Sequence, residues 1–161
     1  MALTIPKDFS EFIELLNANE VDYLVIGGYA VNAHGYNRYT RDIDFWIWMS
    51  PNNLTALTKS LNEFGFASLR LSEEDFKDPK AVVQLGYEPH RIDLLVDVDG
   101  LDFRECFTNR ATENVDGVDI HFIGKQDLIR AKDIAARPKD IADAHTLRTM
   151  DELKEGKKGK P

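Results

Sequence analysis

The spacing of apolar and polar positions divides the chain into short elements. Between Lys7 and Asn17, Phe9, Phe12, Ile13 and Leu16 recur at three- and four-residue steps. That spacing puts them on one stripe of a helix that begins just after Pro6. Asp22–Ile26 is a short apolar run closed by Gly27 and Gly28, the pattern of a buried strand. YAVNAHG reads as a short helix stopped near Gly35, and DIDFWIWM as a second strand ended by Ser50 and Pro51. Asn52–Glu63 is a helix with Leu54, Leu57, Thr58 and Leu61 on one face. FASLRLSEEDFKDPK follows as a strand end and an acidic loop. AVVQLGY and RIDLLVDV alternate as two strands joined around Glu88–His90, a hairpin by pattern. Asp116–Gly117 is a turn pair inside Ala111–Ile123, which makes that segment another pair of short strands. Lys125–Ala136 and Lys139–Met150 read as helices broken at Pro138. The expected fold class is α/β (α+β): a mixed sheet flanked by helices, with helices closing the chain.

Length and composition narrow the function. A chain of 161 residues, 43% hydrophobic and 30% charged, fits one domain over residues 1–150. Residues 151–161, which include KEGKKGKP, read as a flexible basic tail. Lys and Arg number 20 against 28 Asp and Glu, a formal charge of −8. That balance argues against a general coat for nucleic acid, which needs a basic face. It leaves room for a local basic patch, or for carboxylates that hold a divalent metal. The single cysteine, Cys106, excludes an internal disulfide and a cysteine-cluster zinc site, and reads as a buried small apolar residue. No apolar run reaches the length of a membrane span. MALTIPKDFSEF lacks the layout of a secretory signal, so the expected location is the cytoplasm, with no membrane partner.

The informative segment is GGYAVNAHGYNRYTRDIDFWIWM. Asp42 and Asp44 share strand parity, so their carboxylates point to one face while Ile43, Phe45 and Ile47 point to the other. Two acids on one face repel each other unless something positive lies between them. A third acid, Asp93, sits inside the apolar strand of HRIDLLVDV. If that strand neighbours the first, Asp93 faces the pair at roughly 5 Å. Three hard oxygen donors at that spacing suit Mg²⁺, which keeps sites for substrate phosphates. Gly27 and Gly28 end a strand and open a helix. Their backbone amides offer a cradle for phosphate. Together these features read as one site for a metal-bound nucleoside triphosphate.

The glycine pair, the thirteen residues to DID and the later strand Asp resemble the DNA polymerase β-type nucleotidyltransferase superfamily. GGYAVNAHGYNRYTRDIDFWI and RAKDIAARPKDIADAHTLR resemble its small bacterial members, grouped with abortive-infection and toxin–antitoxin proteins. The resemblance covers roughly residues 20 to 150. It implies transfer of a nucleoside monophosphate from an NTP to a hydroxyl, with pyrophosphate leaving. Two Mg²⁺ ions are implied, with Mn²⁺ as the alternative. Residue by residue, Gly27 and Gly28 match the glycine pair, Asp42 and Asp44 the DxD, and Asp93 the third carboxylate. One departure is that Gly28 replaces the serine common in that motif. The acceptor implied is tRNA or a protein, in a toxin–antitoxin or phage-defence setting with a cognate toxin or antitoxin as partner.

Other residues carry two readings each. Arg38 and Arg41 flank Thr40 ahead of Asp42, either to clamp triphosphate charge or to pair with the acids. Thr40 hydrogen-bonds the loop. Lys132 and Lys139 are candidates for the β- or γ-phosphate, with Asp140 and Asp143 to orient them; the alternative is an ordinary charged surface. Asp97 and Asp99 read as solvated strand-end acids, with Asp97, which shares the parity of Asp93, alternatively a partner that supports the site residues. His34 reads as a residue at a helix C-terminus that satisfies backbone carbonyls, and His90 and His121 as surface or packing residues. Trp46 and Trp48 share parity with the carboxylates, for packing or for stacking on a base. Three rival functions use the same residues: a catalytically silent antitoxin or partner-binding module, a small-molecule transferase of the aminoglycoside type, and a metal-dependent phosphohydrolase.

Overall fold

The computed structural model describes residues 3–87 and 89–158, with 151–158 as helical backbone alone. The chain order is α1 (Lys7–Ala18), β1 (Tyr23–Ile26), α2 (Gly27–Ala33), β2 (Ile43–Ile47), α3 (Pro51–Leu61), β3 (Val82–Leu85) and β4 (Ile92–Leu95). It continues through α4 (Phe103–Thr108), β5 (Ala111–Val115), β6 (Val118–Phe122), α5 (Lys125–Ala135) and α6 (Pro138–Lys158). The strands form one sheet in the order β3-β4-β2-β1-β6-β5. Neighbours in sequence pair antiparallel: β1 with β2, β3 with β4 and β5 with β6. The joins between those pairs, β2 with β4 and β1 with β6, are parallel. The mixed α/β fold expected from the sequence is the one observed.

The core follows from the apolar spacing. The α1 stripe of Phe9, Phe12, Ile13 and Leu16 is fully buried. Its rings meet Tyr29 and Phe45 edge to face, at 5.9 and 5.4 Å between centroids. Burying one such ring stabilises the fold by about 2–3 kcal/mol. The central strands β1 and β2 are covered on both faces, which explains why they read as near-continuous apolar runs. Ser50 caps α3 by accepting from the Asn53 amide, and Pro51 occupies the first helical turn.

Two segments differ from expectation. FASLRLSEEDFKDPK contains no strand. Gly65, at φ 111°, turns the end of α3 into a π-helical turn over Asn62–Phe66. Ser72 and Asp75 then form a reciprocal cap on a 3₁₀ turn at Glu73–Phe76, so the acidic run serves as capping chemistry. The short helix α4 was not expected. Its sequence marks are Asp102, whose side chain accepts from the Glu105 amide, and buried Phe103 and Cys106 three apart. α4 also takes up the tryptophans. Trp46 meets Phe103 edge-on and Trp48 stacks on it, so both pack and neither forms an open platform. The segment expected as a tail from residue 151 begins inside α6, whose backbone runs to Lys158. Residues 159–161 lie outside the described residues.

Register places the site. Ile26, at the end of β1, pairs with Asp44. Asp44 in turn lies directly opposite Asp93 on the parallel strand β4. The Gly27–Gly28 turn, the start of β2 and the start of β4 therefore meet at one end of the sheet.

Candidate active site

The carboxylates at this end come from two strand starts and the residue before one of them. Asp44 and Asp93 lie directly opposite each other across the β2–β4 pair. Asp42, just ahead of β2, is tied to them through Arg91. The Arg91 guanidinium lies 3.1 Å from Asp42 Oδ2 and, through Nε, 2.8 Å from Asp93 Oδ1. Arg91 is the positive group that the acid pair needs, and sequence reasoning missed it. The mark was available, because Arg91 shares strand parity with Asp93.

One guanidinium does not balance three acids. Asp44 is pushed up to about 7 by burial and by the charges of Asp93 and Asp42, with Arg91 opposing. Asp42 Oδ1 is buried with no hydrogen-bond partner. A hard divalent cation suits this set, since it would take the orphaned oxygen and relieve the repulsion between Asp44 and Asp93. As the side chains stand, Arg91 lies between Asp42 and Asp93. No group of three His, Cys, Asp or Glu among the described residues forms a ready-made cage.

Both glycines are there because the backbone is approached closely. Gly27 has φ 70°, and a Cβ on it would run into the Asp44 carboxylate. A Cβ on Gly28 would come 2.6 Å from Thr40 Oγ1. The Thr40 hydroxyl thus fills the space that a serine at position 28 would use. Asn32 holds the same loop by accepting from the Arg38 amide and donating to the Arg38 carbonyl, at 3.0 and 2.9 Å.

Lys132 on α5 is buried, 3.3 Å from Asp140 and 3.0 Å from Asp143 on α6. Arg38 reaches Asp143 at 2.8 Å and Arg137 reaches Asp140 at 2.6 Å. Burial raises the Asp140 carboxyl, but Arg137 and Lys132 outweigh it and hold the group below its ordinary value. The two acids flagged in the sequence as partners for Lys132 occupy that place.

Three cavities meet here. One of about 660 Å³ is lined by Gly28, Thr40, Asp42, Asp44, Asp93 and Lys139, with Arg38, Tyr39 and Arg41 on its wall. A second, of about 390 Å³, sets Gly27, Gly28, Lys132 and Lys139 beside apolar Leu95, Val98, Leu128 and Ala131. The third, about 500 Å³, shares Arg38–Arg41 with the first. Other candidates lie elsewhere. Asp97 and Asp99 are exposed. His34 caps the end of α2 with Nε2 2.7 Å from the Ile123 carbonyl. His121 packs on Tyr23. Cys106 is fully buried, and burial together with the Asp127 charge pushes its thiol up to about 12, which leaves it unreactive.

Residues 6–159 match the model of a family described as nucleotidyl transferase of unknown function (DUF2204). No curated protein matches in sequence. Among solved structures, an antigenic nucleotidyltransferase-like protein from Paracoccidioides brasiliensis is similar at TM-score 0.54 and 18% identity, over 89% of this chain and 73% of that one. A candidate nucleotidyltransferase from Thermotoga maritima gives TM-score 0.56 and 14% identity, over 90% and 91%. A lincosamide antibiotic adenylyltransferase, solved with lincomycin, gives TM-score 0.54 and 14% identity, over 91% and 98%. At these identities the likeness shows a shared fold. No described helix is long and apolar enough to cross a membrane.

Proposed function

The chain belongs to this family of nucleotidyl transferases, and we propose that it moves a nucleoside monophosphate from an NTP to a hydroxyl on tRNA or protein, using Mg²⁺. The observation that carries this reading is the convergence of Asp42, Asp44 and Asp93 beside the Gly27–Gly28 turn. When bound, the metal would supply Lewis-acid neutralisation of the triphosphate and of the attacking oxygen. Asp42, Asp44 and Asp93 would hold it. Gly27 and Gly28 would offer backbone amides to the triphosphate, and Thr40 offers a hydroxyl in place of the missing serine. Lys132, steadied by Asp140 and Asp143, puts positive charge at the cavity beside the glycines. Arg41 adds charge from the cavity wall. The apolar lining of Leu95, Val98, Leu128 and Ala131 suits the nucleoside. Catalysis is then positioning and charge neutralisation, with no covalent step on the protein.

The motif likeness to abortive-infection and toxin–antitoxin members supports a role in such a system, with a cognate toxin or antitoxin as partner. A second reading, a small-molecule acceptor, is favoured by the fold shared with the lincosamide adenylyltransferase. One experiment tests both. The protein is incubated with each NTP labelled on the α-phosphate, together with total RNA, cell protein or lincomycin. Label should move to RNA or protein only with divalent cation, with pyrophosphate released, and an Asp42→Ala/Asp44→Ala variant should be inactive. Label on lincomycin selects the second reading. Release of inorganic phosphate, or nucleotide binding without turnover, rejects both.

A further inference from the structure

Arg91 grips the carboxylates in the way a bound cation would. Its main chain is fixed, because the Arg91 carbonyl accepts from the Ile43 amide at 3.0 Å where the β2–β4 pairing begins. From that anchor the guanidinium reaches three oxygens. Nε donates to Asp93 Oδ1 at 2.8 Å and Nη2 to Asp93 Oδ2 at 3.1 Å, a two-point grip on one carboxylate. The same Nη2 lies 3.1 Å from Asp42 Oδ2. The inner lone pairs of Asp93, which a metal ion would use, are thus taken, and the oxygen of Asp42 left without a partner is Oδ1. A guanidinium and a divalent cation cannot share those lone pairs, and their charges repel at this range. The Arg91 side chain is 27% exposed, so it has a way out to solvent that its buried partner Asp93 lacks.

Resting on the nucleotidyl-transfer reading, we propose that Arg91 is a positioning residue that competes with the divalent cation: it holds Asp42 and Asp93 in place until the ion displaces its guanidinium, which then swings outward on its fixed backbone. The exchange has two consequences. Without the ion, Arg91 neutralises acids that would otherwise repel one another across the β2–β4 pair. With the ion, part of the binding free energy goes into breaking the Arg91 grip, so the chain binds a cation more weakly than its three carboxylates alone would. A residue that merely braces the acids would act with the opposite sign, since its loss would loosen the cluster and weaken the ion.

Mn²⁺ serves as the probe, because the electron paramagnetic resonance of the free ion reads binding without turnover. In the full chain without NTP, Arg91→Gln should bind Mn²⁺ about ten-fold more tightly than the parent. Its melting temperature without the ion should fall by about 4 °C, and Mn²⁺ should raise it by more than it raises that of the parent. Arg91→Lys, which keeps a charge but loses the two-point grip, should lie between, and it decides alone if Arg91→Gln does not fold. Arg104→Gln removes an equal charge at the other end of the sheet, where Arg104 pairs with Asp22, and should leave Mn²⁺ affinity unchanged. Mn²⁺ binding that is unchanged or weaker in the Arg91 variants overturns the proposal and leaves Arg91 a brace, and an equal gain in Arg104→Gln overturns it as a general effect of charge. Absence of Mn²⁺ binding in the parent and in every variant strikes the nucleotidyl-transfer reading itself, and this proposal with it.

Discussion

Two charge clusters reach the cavities beside Gly27–Gly28, and they are composed in opposite ways. In the strand cluster, three carboxylates face one guanidinium, one oxygen is buried without a partner, and Asp44 is raised to about 7. In the helix cluster, Asp140 and Asp143 are met by Lys132, Arg137 and Arg38, and Asp140 is held low. The first is under-compensated, as expected of a site that completes itself with a cation from outside. In the second, cations outnumber acids: Asp143 Oδ2 also makes no hydrogen bond, but it lies 3.0 Å from the Lys132 ammonium, and the cluster joins α5 to α6 and to the loop that carries Thr40. Buried charge alone does not distinguish a functional site from a structural one; the balance of charge does.

Removing one charged group from each cluster should give opposite results. Asp44→Asn should lower nucleotidyl transfer by about a thousand-fold or more, because it would remove one of the oxygens proposed to hold the metal. Its melting temperature without metal should stay level or rise, because a like-charge contact is relieved. Addition of Mg²⁺ should raise the melting temperature of the parent and have a much smaller effect on this variant. A loss of thermal stability in Asp44→Asn would make the strand cluster structural.

In the helix cluster, Lys132→Ala removes the buried cation shared by two carboxylates, each of which keeps an arginine, and should destabilise the fold by about 2 kcal/mol, read by denaturant unfolding. A neutral result there would erase the contrast. Between the clusters, Thr40→Val should lower NTP affinity by about three- to ten-fold. Gly28→Ser alone should destabilise by about 1–3 kcal/mol, since its Cβ meets Thr40, and Gly28→Ser/Thr40→Ala should recover both losses. The smallest effect is on pH. Because the folded value for Asp140 lies below its unfolded one, its contribution to stability is complete above the unfolded value. It is lost as pH falls through the folded value. Melting curves from about pH 7 down to about pH 3 should therefore show a shallower acid loss in Asp140→Asn than in the parent.

Much of the site was legible because its marks are local. The parity of Asp42 and Asp44, the strand-then-glycine pattern before α2 and the acid inside an apolar strand are each read from a handful of neighbouring residues. The clustering of Lys132 with Asp140 and Asp143 was legible for the same reason, since one turn of chain separates α5 from α6. What stayed hidden was contact between distant segments. Arg91 serves Asp42 only because β4 lies beside β2, and Thr40 excludes a side chain at Gly28 only because the loop folds back over the glycine turn. α4 was hidden for another reason: it is too short to show helical periodicity, and only its cap marked it.

The sequence by itself determined most of the elements, the mixed fold and the identity of the acids and glycines, because propensity and periodicity are properties of neighbouring residues. Only the tertiary structure decided that Asp44 lies opposite Asp93, that Arg91 serves Asp42 and Asp93 together, and that one Asp42 oxygen is left without a partner. Those depend on the register between strands that are not consecutive, and register is set by the packing of the whole sheet.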